Sequence, residues 1–108
     1  MEIFRDLNKL GYKHYLDYTI EELDNLDIKS KEFSIESTLA FDWFRKKHKL
    51  HSFIYNPIDK INYCFEIKNI SEFINYGNLS EMQSGIKYTY GEARLECLKK
   101  LIEIVKNK

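Results

Sequence analysis

The spacing of apolar positions along the chain changes twice, and each change marks a boundary between elements. Over residues 34–49, Ile35, Leu39, Ala40, Trp43 and Phe44 recur at steps of three to five, with the stem of Lys47 on the same side. That spacing predicts an amphipathic helix opened by Ser34. From Leu50 the period falls towards two. "LHSFIYN" is rich in aromatic and branched residues, "PID" interrupts at Pro57, and "KINYCFEIKNI" alternates. Ile61, Tyr63, Phe65 and Ile67 are expected on one face, with Asn62, Cys64, Glu66 and Lys68 on the other. Two strands about a short polar turn predict an antiparallel hairpin. Residues 71–85 hold Gly77, Asn78, Ser80, Ser84 and Gly85 and read as a loop, with a helical turn at "SEFIN"; "GIKY" (85–88) reads as a third strand.

The helical period returns at the end. Tyr90, Ala93, Cys97, Leu98, Leu101, Ile104 and Val105 make one apolar stripe, and Arg94, Glu96, Lys99, Lys100, Glu103 and Lys106 fall off it. Thr89 and Glu92 stand three apart, the spacing at which a threonine hydroxyl and a glutamate satisfy each other's backbone amides. The same signature, Thr19 and Glu22, opens a second short helix at "TIEEL" near the start of the chain. Ahead of it Ile3, Leu7 and Leu10 share a side, and Gly11 can end that first helix.

The order is helix, strand, strand, third strand, helix. It predicts an α+β fold: a two- or three-stranded antiparallel sheet with helices packed on one face, preceded by a helical N-terminal extension. At 108 residues the chain reads as a single domain, 1–33 being the extension and 34–108 the core.

Composition narrows the function more than the fold. Seventeen basic side chains balance seventeen acidic ones, so overall charge points to neither nucleic acid nor a membrane surface. No apolar run nears the roughly 20 residues of a membrane-spanning helix, and "MEIFRDLNKL" lacks the apolar core of a signal peptide. Two cysteines, Cys64 and Cys97, make no disulfide framework and are expected reduced and buried, consistent with a cytoplasmic protein.

Candidate chemistry is sparse. His48 and His51 straddle a helix end and a strand start, not the i, i+4 spacing of a metal-binding helix, so no metal is expected. The four glycines at 11, 77, 85 and 91 form no phosphate loop, and no carboxylate pair or cysteine–histidine arrangement suggests catalysis. The expectation is a protein that is not an enzyme and needs no cofactor. Two surfaces remain. Tyr15 and Tyr18 lead into an acidic run, Glu21, Glu22, Asp24 and Asp27, a pattern suited to docking on a basic groove of a partner. Arg45, Lys46, Lys47 and Lys49 form a basic cluster at a helix end, the alternative being a nucleic-acid contact.

Two resemblances bear on this. "AFDWFRKKHKLHSFI", followed later by "TYGEARLECLKKLIEIVK", resembles small bacteriophage- and prophage-encoded proteins that pair a Trp-containing helix and a hairpin with a terminal T-Y-x-E-A helix. Trp43, Arg45, His48, Thr89, Tyr90, Glu92, Ala93, Cys97 and Leu98 carry the match; Gly91 departs from the acidic residue expected there. This resemblance implies a phage accessory protein in the cytoplasm of an infected bacterium. Proteins of that kind commonly inhibit host defence by binding, anti-CRISPR proteins among them. The helix–strand–strand–strand–helix order is also similar to that of a double-stranded-RNA-binding domain. That family grips phosphate with a lysine cluster at the start of its last helix. Here the same place reads "TYGEARLE", where Glu92 and Glu96 oppose phosphate and only Arg94 favours it, so nucleic acid is not the expected partner.

Overall fold

In the computed structural model, residues 2–55, 63–69, 74–79 and 89–107 are described, with the backbone alone for 74–79. The elements are α1 (Ile3–Lys9), α2 (Ile20–Asp24), α3 (Lys31–His48), β1 (Leu50–Tyr55), β2 (Cys64–Asn69), β3 (Ile74–Leu79) and α4 (Tyr90–Lys106). The fold is α+β. The strands form an antiparallel sheet in the order β1-β2-β3, with α3 packed on β1 and α4 on β1 and β2.

Both capping boxes form. Thr19 Oγ1 accepts from the Glu22 amide while Glu22 Oε1 accepts from the Thr19 amide, and Thr89 and Glu92 repeat the pair at the head of α4. Gly11 ends α1 at φ +107°, a conformation that costs glycine little. Its amide donates to the Asn8 carbonyl and the Tyr12 amide donates to the Leu7 carbonyl, closing the last turn in a Schellman motif. At the junction of α3 with β1 the left-handed residue is Lys49, at φ 60°.

Three expectations are corrected. First, α3 begins a turn earlier than Ser34: Ser30 is the cap, its Oγ accepting from the Phe33 amide. The inward face is also rotated, so that Phe33, Glu36, Ser37, Ala40 and Phe44 are buried while Ile35 is exposed and Lys47 lies in solvent. Two polar residues occupy positions that a hydrophobic pattern cannot assign to the inside. Second, residues 74–79 are a strand rather than part of a loop. Register shifts by one between Glu66 and Lys68, leaving Tyr76 and Gly77 opposite Ile67. This is a β-bulge, where glycine is at home, and it explains why turn-forming residues sit inside a strand. Third, Cys64 is buried at the start of β2 although its parity places it with Glu66 and Lys68. The alternation otherwise holds, with Phe65 and Ile67 buried and Lys68 exposed. The turn at Pro57, Ile61, Asn62 and the proposed strand 85–88 lie outside the described residues.

The core draws on the whole length described. Ile3, Phe4, Leu7, Tyr12, Leu23 and Phe33, all from the segment expected as an extension, join Phe44, Leu50, Phe65, Ile67, Leu98 and Leu101 in one cluster. Phe4 and Phe33 meet edge-to-face at 6.2 Å. On α4 the stripe is buried as expected, except that Tyr90 is exposed and Val105 half-buried. Gly91 has a steric reason: a Cβ there would lie 2.9 Å from the Ile28 carbonyl oxygen, so the segment ahead of α3 can approach the first turn of α4 only if that position is bare.

Candidate functional site

The strongest organisation of polar groups surrounds the loop between α1 and α2. Glu36, on the inner face of α3, is fully buried. Its Oε1 accepts from the amides of Tyr15 and Leu16, both at 2.6 Å, and its Oε2 accepts from the Tyr12 hydroxyl, also at 2.6 Å. Burying a carboxylate costs several kcal/mol unless its lone pairs are satisfied, and three charge-assisted bonds offset that cost here. The Tyr12 phenol is correspondingly hard to ionise: burial raises its pKa first, and the Glu36 hydrogen bond and charge raise it further. The outcome is a loop fixed to α3 at both ends of the Tyr12–Leu16 stretch.

What the loop holds outward is Tyr15, 78% exposed, with Tyr18 partly exposed beyond it. The backbone on both sides of its Cα is already held, so a contact made by this ring does not have to order the loop as well, which lowers its entropic cost. Beside Tyr15 runs an open groove of about 520 Å³, lined by Tyr12, Lys13, Leu39, Asp42, Trp43, Lys46 and Lys47. Trp43 packs edge-to-face with Tyr12 at 5.7 Å, and with Phe44 and His48 on its other sides.

The acidic run does not form one surface. Asp24 is buried, and its Oδ1 accepts from the Phe4 amide at 2.7 Å, satisfying the first turn of α1 that Glu2 leaves uncapped. Its place as a partner-binding residue is therefore corrected to that of a cap supplied from a distant residue. Glu22 belongs to the capping box, and the amide of Thr19 followed by its hydroxyl holds its carboxyl below the usual range. Asp27 accepts from the Lys29 amide at 2.9 Å and remains exposed, as does Glu21. Glu21, Glu22 and Asp27 are thus the surface acids of the run.

The basic cluster is partly neutralised. Asp42 takes Lys46 at 3.0 Å and also Arg45, and these two cations, Lys46 first, hold the Asp42 carboxyl below its ordinary range. Lys47 and Lys49 stay exposed, with no ion pair among the described residues.

Arg94 breaks the expected pattern most sharply. Placed off the stripe of α4 by its spacing, it is buried, 7% exposed. Nε and Nη2 donate to Ser37 Oγ, and Nη2 also reaches the Ser34 carbonyl and Thr38 Oγ1. Nη1 donates to the Tyr90 hydroxyl at 2.8 Å. The guanidinium lies over the Phe41 and Tyr90 rings at 5.4 and 5.2 Å. No carboxylate pairs with it among the described residues. It joins α4 to α3 through hydroxyls and aromatic faces. Neighbouring Cys97 is buried, which pushes its thiol pKa up to about 12 against weaker opposing effects of Ser52 and the Arg94 charge. At neutral pH it is an inert thiol.

Among the described residues no group of three or more His, Cys, Asp or Glu could hold a metal ion, and no helix is long and apolar enough to cross a membrane. No protein-family model, no curated protein and no solved structure matches the chain.

Glu36 and the groove beside Tyr15 escaped the sequence reading. A glutamate at a core position of an amphipathic helix was the available signal, since charge is rarely placed there without a partner.

Proposed function

We propose that this chain is a non-catalytic binding protein that engages another protein through the Tyr15–Tyr18 loop and the flanking acids Glu21, Glu22 and Asp27. The observation that carries this reading is the buried Glu36 carboxylate, which ties down the backbone on either side of an exposed tyrosine. Tyrosine is enriched where proteins meet, and anchors that are rigid before contact bind more tightly than mobile ones. The resemblance to small phage-encoded proteins supports a host protein as target, in the cytoplasm of an infected bacterium. It also supports inhibition of a defence nuclease with a cationic groove, in the manner of an anti-CRISPR protein. The exposed acids would steer such an encounter, and the affinity would weaken with salt.

The test is capture of a host protein by the immobilised chain, with Tyr15→Ala and Glu21→Lys as variants. Both positions are exposed, so circular dichroism should be unchanged while capture falls. Equal capture by parent and variants would remove this surface from the function. The nucleic-acid alternative through Arg45, Lys46, Lys47 and Lys49 is less favoured, because Asp42 already holds two of the four cations.

A further inference from the structure

The groove beside Tyr15 has a chemistry of its own, distinct from the acids of α2. Its floor is aromatic and aliphatic: Trp43, Tyr12 and Leu39. Its charged groups are Lys13, Lys46, Lys47 and Asp42. Asp42 is already satisfied by Lys46 and Arg45, so the groove's uncommitted charge is that of Lys13 and Lys47, which have no ion pair among the described residues. An apolar floor with two free ammonium groups is complementary to an apolar side chain flanked by carboxylates.

The same groove is a poor match for a nucleic acid. Single-stranded chains are held by open aromatic faces and many phosphate contacts. Of the rings that line it only Tyr15 is strongly exposed, Tyr12 being buried and Trp43 partly so, and only two of its lysines are without an ion pair among the described residues. Two phosphate contacts supply little of the counterion release that nucleic-acid binding draws on.

From this geometry we infer that the Tyr12–Lys13–Trp43–Lys47 groove receives an acidic, aromatic-bearing peptide segment of the partner protein. The inference rests on the protein-binding reading above and adds the chemistry of the segment. Tyr15 forms one wall of the groove and also leads to the acids of α2. The partner would therefore present carboxylates to the groove and cations to α2, a polarity that fixes its orientation.

The test is titration of the whole chain, labelled with nitrogen-15, with a synthetic peptide of alternating acidic and aromatic residues. The parallel arms are a peptide with lysine in place of each acid and a single-stranded oligothymidylate. Amide shifts should concentrate at Lys13, Tyr15 and Lys47 and at the Trp43 indole for the acidic peptide, and should shrink as salt rises. The exposed double variant Lys13→Glu/Lys47→Glu, whose fold is checked by its own spectrum, should bind at least about tenfold more weakly, roughly the effect of turning attraction into repulsion at two contacts. Shifts elsewhere, equal shifts with the lysine peptide, stronger binding of the oligonucleotide, or unchanged affinity of the double variant would each overturn the assignment. If the acidic peptide fails but Tyr15→Ala still abolishes partner capture, the groove assignment falls and the broader reading stands. If the peptide binds as described while capture is indifferent to Tyr15 and Glu21, the broader reading falls and the groove remains a peptide site.

Discussion

Replacing Glu36 by alanine would test the feature on which the functional reading rests. The substitution deletes three hydrogen bonds of 2.6 Å, two from the amides of Tyr15 and Leu16 and one from the buried Tyr12 hydroxyl. Bonds to a charged acceptor contribute about 1.5–3 kcal/mol each, so the gross loss is roughly 5–9 kcal/mol. Two terms reduce it. The variant no longer buries a carboxylate, which returns several kcal/mol, and the two amides, being only partly buried, can turn to water. A net cost of about 2–4 kcal/mol follows, a large share of the ~5–15 kcal/mol that holds a typical domain folded. Glu36→Gln separates charge from shape: its amide oxygen can still accept from both backbone amides while its NH2 faces the Tyr12 oxygen, so it should cost only about 1–2 kcal/mol. Urea unfolding followed by the fluorescence of Trp43, the chain's single tryptophan, reports both variants, because the indole sits against Tyr12. If Glu36→Ala unfolds within about 0.5 kcal/mol of the parent, the range of an ordinary surface change, then Glu36 does not hold the loop and the argument for a pre-set Tyr15 collapses.

Three further outcomes are expected. Arg94→Lys keeps the charge but not the fork that reaches Ser34, Ser37, Thr38 and Tyr90, so it should lose about 1–3 kcal/mol in the same urea assay; an unchanged midpoint would mean that Arg94 is a surface residue. Leu98→Ala and Leu101→Ala should each cost roughly 2–5 kcal/mol in thermal melts, whereas Lys99→Ala and Glu103→Ala should stay within about 0.5 kcal/mol; the leucines are fully buried, and parent-like melts of their variants would refute the packing of α4. Alkaline pH should destabilise the fold: Tyr12 and Cys97 both have raised pKa values, so the unfolded chain releases these protons first, and the stability they contribute is whole below the unfolded values and drains away as pH climbs past 9–10. Tyr12→Phe should flatten that decline in pH-jump urea melts, and an equally steep decline would show that Tyr12 is ionised in the folded state.

Local signals in the sequence were legible. The capping boxes at Thr19 and Thr89, the glycine stop at Gly11 and the stripe of α4 depend on residues within a few positions of one another, and pattern reading finds them. The groups that build the site depend on partners far along the chain. Glu36 meets residues 20–24 positions before it, and Arg94 meets residues 56–60 positions before it. Neither pairing leaves a periodic trace, and both residues count as polar in any hydrophobic pattern, so the pattern finds Ala40 and Phe44 on the inner face of α3 but not Glu36 or Ser37, and it puts Arg94 off the stripe of α4. The capping role of Asp24 is hidden for the same reason, its target being the Phe4 amide of another helix. In β3 the local signal was present but opposed: Gly77 and Asn78 favour turns, and pairing with β2 overrides that preference through a bulge.

The packing of α1 against α4 has a consequence for how the molecule reaches its structure. Ile3 and Asp6 lie beside Ile102, Glu103 and Lys106, and Lys106 approaches Asp6 at 3.9 Å, so the two helices furthest apart in the chain close one part of the core between them. A ribosome delivers α1 first and α4 last. Throughout synthesis α1 can already pack on α2 and on Phe33, but the side of it that faces α4 lacks its cover, and so does the sheet face that α4 occupies. Final docking must also close a loop spanning most of the chain, an ordering step that slows folding. Until α4 docks, the sheet face that it covers is exposed apolar surface, the kind through which incompletely folded chains aggregate.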